Sequence, residues 1–370
     1  MGVRSTRAVR VPRRRAVCGA LALAAVLGGG TYAGVEYFAG SPSAAASSLT
    51  DRASIADKID LPWPGEGQTS IAVDGLGSLG SKGGATPVPI ASVTKVMTAH
   101  VILEEHPLKD GEQGPQIDVD PPAAQESKSL SESTVPLREG QRFTQRQLLE
   151  LLMLPSGNNA ARLLARWDSG SEEKFVEKMN RAAQHLGMNR TTYTGASGFE
   201  ESTRSTADDQ LTLARAAMEQ PALRSVVALR KTTVPGIPGT VTNTNDLLDR
   251  PGVVGLKTGS TTPAGGNLMW AAQIRAGGKQ RLVLGVTLAQ RANTTPTEGL
   301  SAALDRSGKL IEALRTQLPA ALDGGKSGEK SDEKGDEKSS EKGGEKSFEK
   351  SGEKDGEKSG EKSGDNRARP

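Results

Sequence analysis

Hydrophobic and polar positions change their period along this chain, and the changes mark its elements. Thr69 to Val73 is a β-branched run closed by Asp74-Gly75, with a second turn at Ser81 to Gly84, which predicts a β-hairpin. From Ser92 to Glu105 the apolar residues Val93, Val96, Met97, Val101 and Ile102 recur at helical spacing, and His106-Pro107 stops the pattern. Thr144-Gln145-Arg146-Gln147 reads as a capping box opening a helix through Leu148, Leu149, Leu151 and Leu152 to Met153. Helical spacing returns over Asn159 to Arg166, Glu172 to Leu186 and Ala207 to Glu219. Beyond Pro235 the character turns to strand: Thr240 to Thr244, Val253 to Thr258, Gly266 to Ile274 and Arg281 to Leu288, the last two divided by Gly277-Gly278. Gly299 to Leu318 predicts a closing helix.

Strands, then helices, then strands and a helix describe an α+β domain. The expected architecture is an antiparallel β-sheet built from both ends of the domain, flanked by helices, with an all-helical subdomain inserted between. The ends of the chain differ from this middle. Ala16 to Val35 is uncharged, follows Arg4, Arg7, Arg10, Arg13, Arg14 and Arg15, and ends at Glu36. That arrangement predicts an export signal or a single membrane anchor, with Ala44-Ala45-Ala46 as a cleavage site and an extracytoplasmic destination. From Lys326 to Lys362 a lysine recurs at every fourth position with glutamate, glycine and serine between, and only Phe348 is large and apolar. Such a segment cannot bury enough surface to offset its ordering entropy. The expected organisation is therefore an N-terminal export or anchor segment over 1–46, a catalytic domain over 47–322 and a disordered tail over 323–370.

Composition narrows the function classes. With Cys 1 there is no internal disulfide, and with aromatic residues at 3% the core must be built from Leu, Val and Ala. His100, His106 and His185 show no ligand spacing, so neither a metal nor another cofactor is expected. The formal charge is +3, but the six N-terminal arginines and a tail with 12 basic against 13 acidic residues leave about −2 for the region between. Nucleic acid is not an expected partner, and membrane contact is expected only through the N-terminal segment.

Three short motifs carry the chemistry: Ser92-Val93-Thr94-Lys95, Ser156-Gly157-Asn158 and Lys257-Thr258-Gly259. A serine hydroxyl needs a neighbouring base to act as a nucleophile at neutral pH. Three residues apart on a helix, Ser92 and Lys95 share a face, and burial beside a second cation, for which Lys257 is the candidate, lowers a lysine enough to accept a proton. Ser156, in the loop after Pro155, supplies a second hydroxyl for proton relay, and the Asn158 amide can orient Lys95 and donate to substrate. Lys257 and Thr258, near the end of a strand, suit a carboxylate, and Gly259 permits close approach of a ligand backbone. Taken singly, each motif also reads as a helix cap, a turn or a charged strand end; their order and spacing distinguish the set.

In this order, with about 60 and then about 100 residues between them, the motifs resemble those of the low-molecular-mass penicillin-binding proteins, specifically the D-alanyl-D-alanine carboxypeptidases. Pro89-Ile90-Ala91, Met97-Thr98-Ala99, Asn159-Ala160-Ala161, Ala196-Ser197-Gly198, Thr261 and Ala264-Gly265 extend the resemblance. It implies a β-lactamase/transpeptidase-like fold and removal of the terminal D-alanine from peptidoglycan stem peptides. It further implies Ser92 as acyl-ester nucleophile, Lys95 as its proton acceptor, Ser156 as the second active-site serine and Lys257 with Thr258 as the carboxylate anchor. The backbone N–H groups of Ser92 and Ser260 would form the oxyanion hole, and β-lactam antibiotics would be covalent inhibitors. A D,D-endopeptidase and a serine β-lactamase are the alternatives within this chemistry. Gly157 and the lack of a Glu-x-x-x-Asn element before Lys257 argue against the β-lactamase, and the intact motifs argue against a purely wall-binding domain.

Overall fold

In the computed structural model, which describes residues 55–323, segments from both ends of that span meet in one five-stranded sheet. Its strands are β1 (Gln68–Val73), β2 (Gly77–Lys82), β3 (Val253–Thr261), β4 (Gly265–Ala276) and β5 (Lys279–Gln290), arranged β2-β1-β5-β4-β3 with every neighbouring pair antiparallel. The register sets Gln68 opposite Leu288 and Val73 opposite Val283. Between β4 and β5 the chain turns on Gly277 and Gly278 alone, with φ of 62° and 75°, the two-residue turn that matches the twist of a hairpin. The expected export segment and charged tail lie outside the described residues.

Both faces of the sheet are covered, so β4 reads as a nearly continuous apolar run. Alternation still sorts its side chains. Leu268, Trp270, Ala272 and Ile274 pack with Leu310, Ile311 and Leu314 of the long C-terminal helix, whereas Met269 and Ala271 join the core of the helical region. The helices are α1 (Lys95–Glu105), α2 (Pro121–Glu126), α3 (Gln145–Met153), α4 (Asn158–Ser169), α5 (Glu172–His185), α6 (Ala207–Glu219), α7 (Pro221–Val227) and α8 (Pro296–Asp323). From Lys95 through Leu103 every residue of α1 is buried, which makes it the central helix of the molecule. The capping box at Thr144 and Gln147 forms as the sequence predicts.

Three local expectations change. The helix read from Ser92 begins instead as a 3₁₀ turn over Ala91–Thr94, and α1 starts at Lys95. Ala91 has φ of 46°, and the Thr94 hydroxyl donates to Ala91 O at 2.8 Å, a local bond that competes with regular helix. The strand read over Thr240 to Thr244 contracts to Val241–Thr242, paired only with Lys231–Thr232. Finally α2 and α7, each with proline in its first turn, are helices the periodicity did not reveal.

Candidate active site

The 3₁₀ turn presents Ser92 to a cavity of about 580 Å³ that Glu132, Asn158 and Ser260 also line. One turn on, Lys95 is fully buried. Its Nζ donates to Ser92 Oγ at 2.8 Å, Asn158 Oδ1 at 2.6 Å and Ser197 O at 2.7 Å. Burial is the largest cause holding Lys95 well below the usual lysine value; Lys257 and Arg162 push the same way, against Glu132 and Glu200. The three acceptors differ in kind. Asn158 Oδ1 and Ser197 O can only accept, so a neutral Lys95 keeps its two N–H groups on them and turns its lone pair to the Ser92 hydroxyl.

The second motif follows α3 through Leu154 and Pro155. Ser156 lies in the left-handed region with φ of 65°, an uncommon setting for a side chain other than glycine. It is 6% exposed, and its Oγ has no hydrogen-bond partner among the described residues. Ser156 is thus buried two residues before the cavity-lining Asn158, neither bonded to Lys95 nor among the residues that line the cavity. Asn158 opens α4 directly after Gly157, and its Nδ2 donates to Glu132 Oε2 at 2.6 Å.

On the opposite wall β3 carries the third motif. Lys257 and Thr258 are 1% and 3% exposed. Lys257 Nζ donates to Thr258 O at 2.9 Å, and burial pushes its ammonium down to about 7. The Thr258 hydroxyl shares a hydrogen bond with that of Thr244. At Gly259 a β-carbon would come within 2.8 Å of the backbone nitrogens of both Ser92 and Val93. Only glycine lets the strand approach the Ser92 turn this closely.

The sequence reading did not single out Glu132, Arg162, Glu172 or Thr244. Glu132 lies in a serine-rich run with no periodicity, and its contacts to Asn158 and to Arg162 at 2.9 Å cross tens of residues. Ser197 belongs to a tripeptide noted for its resemblance but given no role. Among the described residues no group of His, Cys, Asp and Glu is arranged to hold a metal ion, and no helix is long and apolar enough to cross a membrane. Leu130 and Phe199, the two large apolar side chains that stand exposed among the described residues, both line the cavity.

A sequence model described as D-alanyl-D-alanine carboxypeptidase matches residues 73–290. The chain is 35% identical over 202 residues to D-alanyl-D-alanine carboxypeptidase DacB2 of Mycobacterium tuberculosis, covering 53% of this chain and 65% of that protein. It is 33% identical over 184 residues to a D-alanyl-D-alanine endopeptidase of Pseudomonas aeruginosa, covering 48% and 57%. These matches span less than two thirds of either relative. Among solved structures, the Streptomyces K15 DD-transpeptidase superposes with a TM-score of 0.60 at 28% identity, over 69% of this chain and 98% of that one.

Proposed function

Because the chain belongs to the D-alanyl-D-alanine carboxypeptidase family, we propose that it is a serine-type peptidase that removes the terminal D-alanine from peptidoglycan stem peptides, and that β-lactams acylate it. The observation that carries this reading is Lys95 Nζ, 2.8 Å from Ser92 Oγ and held on its other side by two oxygens that can only accept. Lys95 takes the Ser92 proton as Oγ bonds to the carbonyl carbon of the penultimate D-alanine. The oxyanion is met by the backbone N–H groups of Ser92 and Ser260. On collapse the C–N bond breaks, the leaving amine takes a proton relayed through Ser156, and an ester on Ser92 remains. Water then attacks the ester carbonyl as Lys95 accepts its proton; the bond from that carbon to Ser92 Oγ breaks, Lys95 returns the proton to Oγ, and the shortened peptide leaves as its acid. Lys257 and Thr258 anchor the terminal carboxylate.

Glu132 supports the preference for peptidase over β-lactamase. Asn158 Nδ2 and the Arg162 guanidinium occupy both of its carboxylate oxygens, at 2.6 Å and at 2.9 and 3.3 Å, so it is not free to take a proton from deacylating water. A bound penicillin should therefore persist. The reading also places the enzyme outside the cytoplasm, delivered or anchored by residues 1–46. Incubation of the purified protein with a wall pentapeptide tests the function: stoichiometric D-alanine is expected, and its absence, with penicillin labelling also absent, overturns the reading. Release of monomers from a cross-linked dimer in preference to D-alanine would assign the endopeptidase activity instead.

A further inference from the structure

Both acceptors that orient Lys95 are tied back to one arginine. Asn158 Oδ1 accepts from Lys95 Nζ at 2.6 Å, and its Nδ2 donates to Glu132 Oε2 at 2.6 Å. The same Oε2 accepts from Arg162 Nη2 at 2.9 Å, and Arg162 Nη1 lies 3.3 Å from Glu132 Oε1. Along a second arm, Glu172, 4.0 Å from Arg162, accepts from Ala196 N at 2.9 Å, next to the Ser197 carbonyl that receives Lys95. Glu126 holds Arg162 at 3.4 Å from a third direction. Arg162 and Glu132 side chains are each 12% exposed, so the pair is shielded and keeps its geometry better than a surface ion pair.

An asparagine amide can turn over, exchanging its oxygen for its NH₂ group. In the turned state Nδ2 would face Lys95, where a donor already stands, and the lysine would lose one of the two acceptors that aim its lone pair. A carboxylate accepts and never donates, so Glu132 accommodates only the orientation with Nδ2 toward itself. We propose that Glu132, gripped by Arg162, is a positioning residue that fixes the Asn158 amide and so directs the Lys95 lone pair at Ser92. This role rests on the acyl-enzyme reading above and deepens it. Glu132 is bonded to neither the Ser92 hydroxyl nor Lys95; it acts through the Asn158 amide and, across space, through its negative charge, which raises Lys95.

The test is the rate of acylation by a fluorescent penicillin, measured on the full chain, per titratable active site and across pH. Glu132→Ala should slow acylation at the pH optimum by at least about tenfold, the scale for a reacting group displaced by a fraction of an ångström. Glu132→Gln should fall between it and the unmodified protein, because its NH₂ group would oppose Arg162. In an Asn158→Ala background, Glu132→Ala should add less than about a twofold further loss, since the positioned group is already gone. The acid limb of the profile should move to lower pH: of the charged groups acting on Lys95, Glu132 and Glu200 raise it while Lys257 and Arg162 lower it. A rate per site within about twofold of the unmodified protein overturns the proposal, and so does an unmoved limb or an equal loss in both backgrounds. Glu132→Gln keeps the test decisive if Glu132→Ala does not fold. Failure of the unmodified protein to be labelled at all would instead overturn the acyl-enzyme reading.

Discussion

The two walls of the cleft each bury a lysine, and they treat it in opposite ways. On the helical wall Lys95 meets three acceptors, and carboxylates paired with Arg162 hold the groups that supply two of them. On the sheet wall Lys257 has one hydrogen-bond acceptor among the described residues, the carbonyl of its own neighbour. Burial lowers both ammonium groups, so burial alone does not assign a role. The partners do: a lysine whose N–H groups are all committed offers a lone pair in one direction, while one with uncommitted donors and a positive charge is suited to receive an anion.

Removing the helical wall's chemistry should have the largest effect. Ser92→Ala should abolish labelling by a fluorescent penicillin with the fold intact by circular dichroism, and Lys95→Met should slow acylation by about 10²–10⁴-fold. Undiminished labelling of Ser92→Ala would erase the distinction between the walls. Next, Lys257→Ala should cost about 2–4 kcal/mol in kcat/KM for a pentapeptide, the scale for losing a partly buried charge partner. A peptide amidated at its C-terminus should be a poor substrate for the unmodified enzyme. Equal cleavage of acid and amide would give Lys257 another task.

A pH profile sharpens the contrast further. With its pKa lowered to about 7, Lys257 is charged below that pH and loses its charge above it. Because kcat/KM reports the free enzyme, cleavage of the acid peptide should fall as pH rises through about 7, approaching tenfold per pH unit. The residual cleavage of the amide, which needs no cation, should lack that limb. The smallest effect is expected behind the helical wall. Asn159 is wholly buried and bonds Val135 N, Val135 O and Ser127 Oγ at 3.0, 2.8 and 2.9 Å, bracing the chain around Glu132. Asn159→Ala should cost about 1–3 kcal/mol, read as a thermal midpoint lowered by a few degrees.

The strands and the capped helices were legible because their signals are local. Gly277-Gly278 between two apolar runs specifies a hairpin by backbone conformation alone, and Thr144 with Gln147 specifies a helix start by two reciprocal bonds. The motif residues were legible because their spacing is unusual as a set. What stayed hidden depends on distant partners. The charge of Glu132 acquires meaning only when α4 brings Arg162 to it, and Thr244 only when β3 brings Thr258. At Ser92 the apolar period was right, but the left-handed turn at Ala91 is a backbone choice that periodicity does not record.

The order of the sheet carries a consequence for synthesis. Between its neighbours, β1 hydrogen-bonds on one side to β2, made immediately after it, and on the other to β5, with Gln68 opposite Leu288. Ser92 and Lys95 are likewise made early, while β3, which packs Gly259 against them, follows only after residue 252. A nascent chain therefore carries Ser92 and Lys95 through more than 150 further residues before the strand that completes the cleft begins at Val253. Pairings so distant in sequence also form slowly, because loop closure precedes any gain in contacts. Activity should thus appear late and abruptly, as the last strands close the sheet, and a chain interrupted before β5 should be inert even though all three motifs have been made.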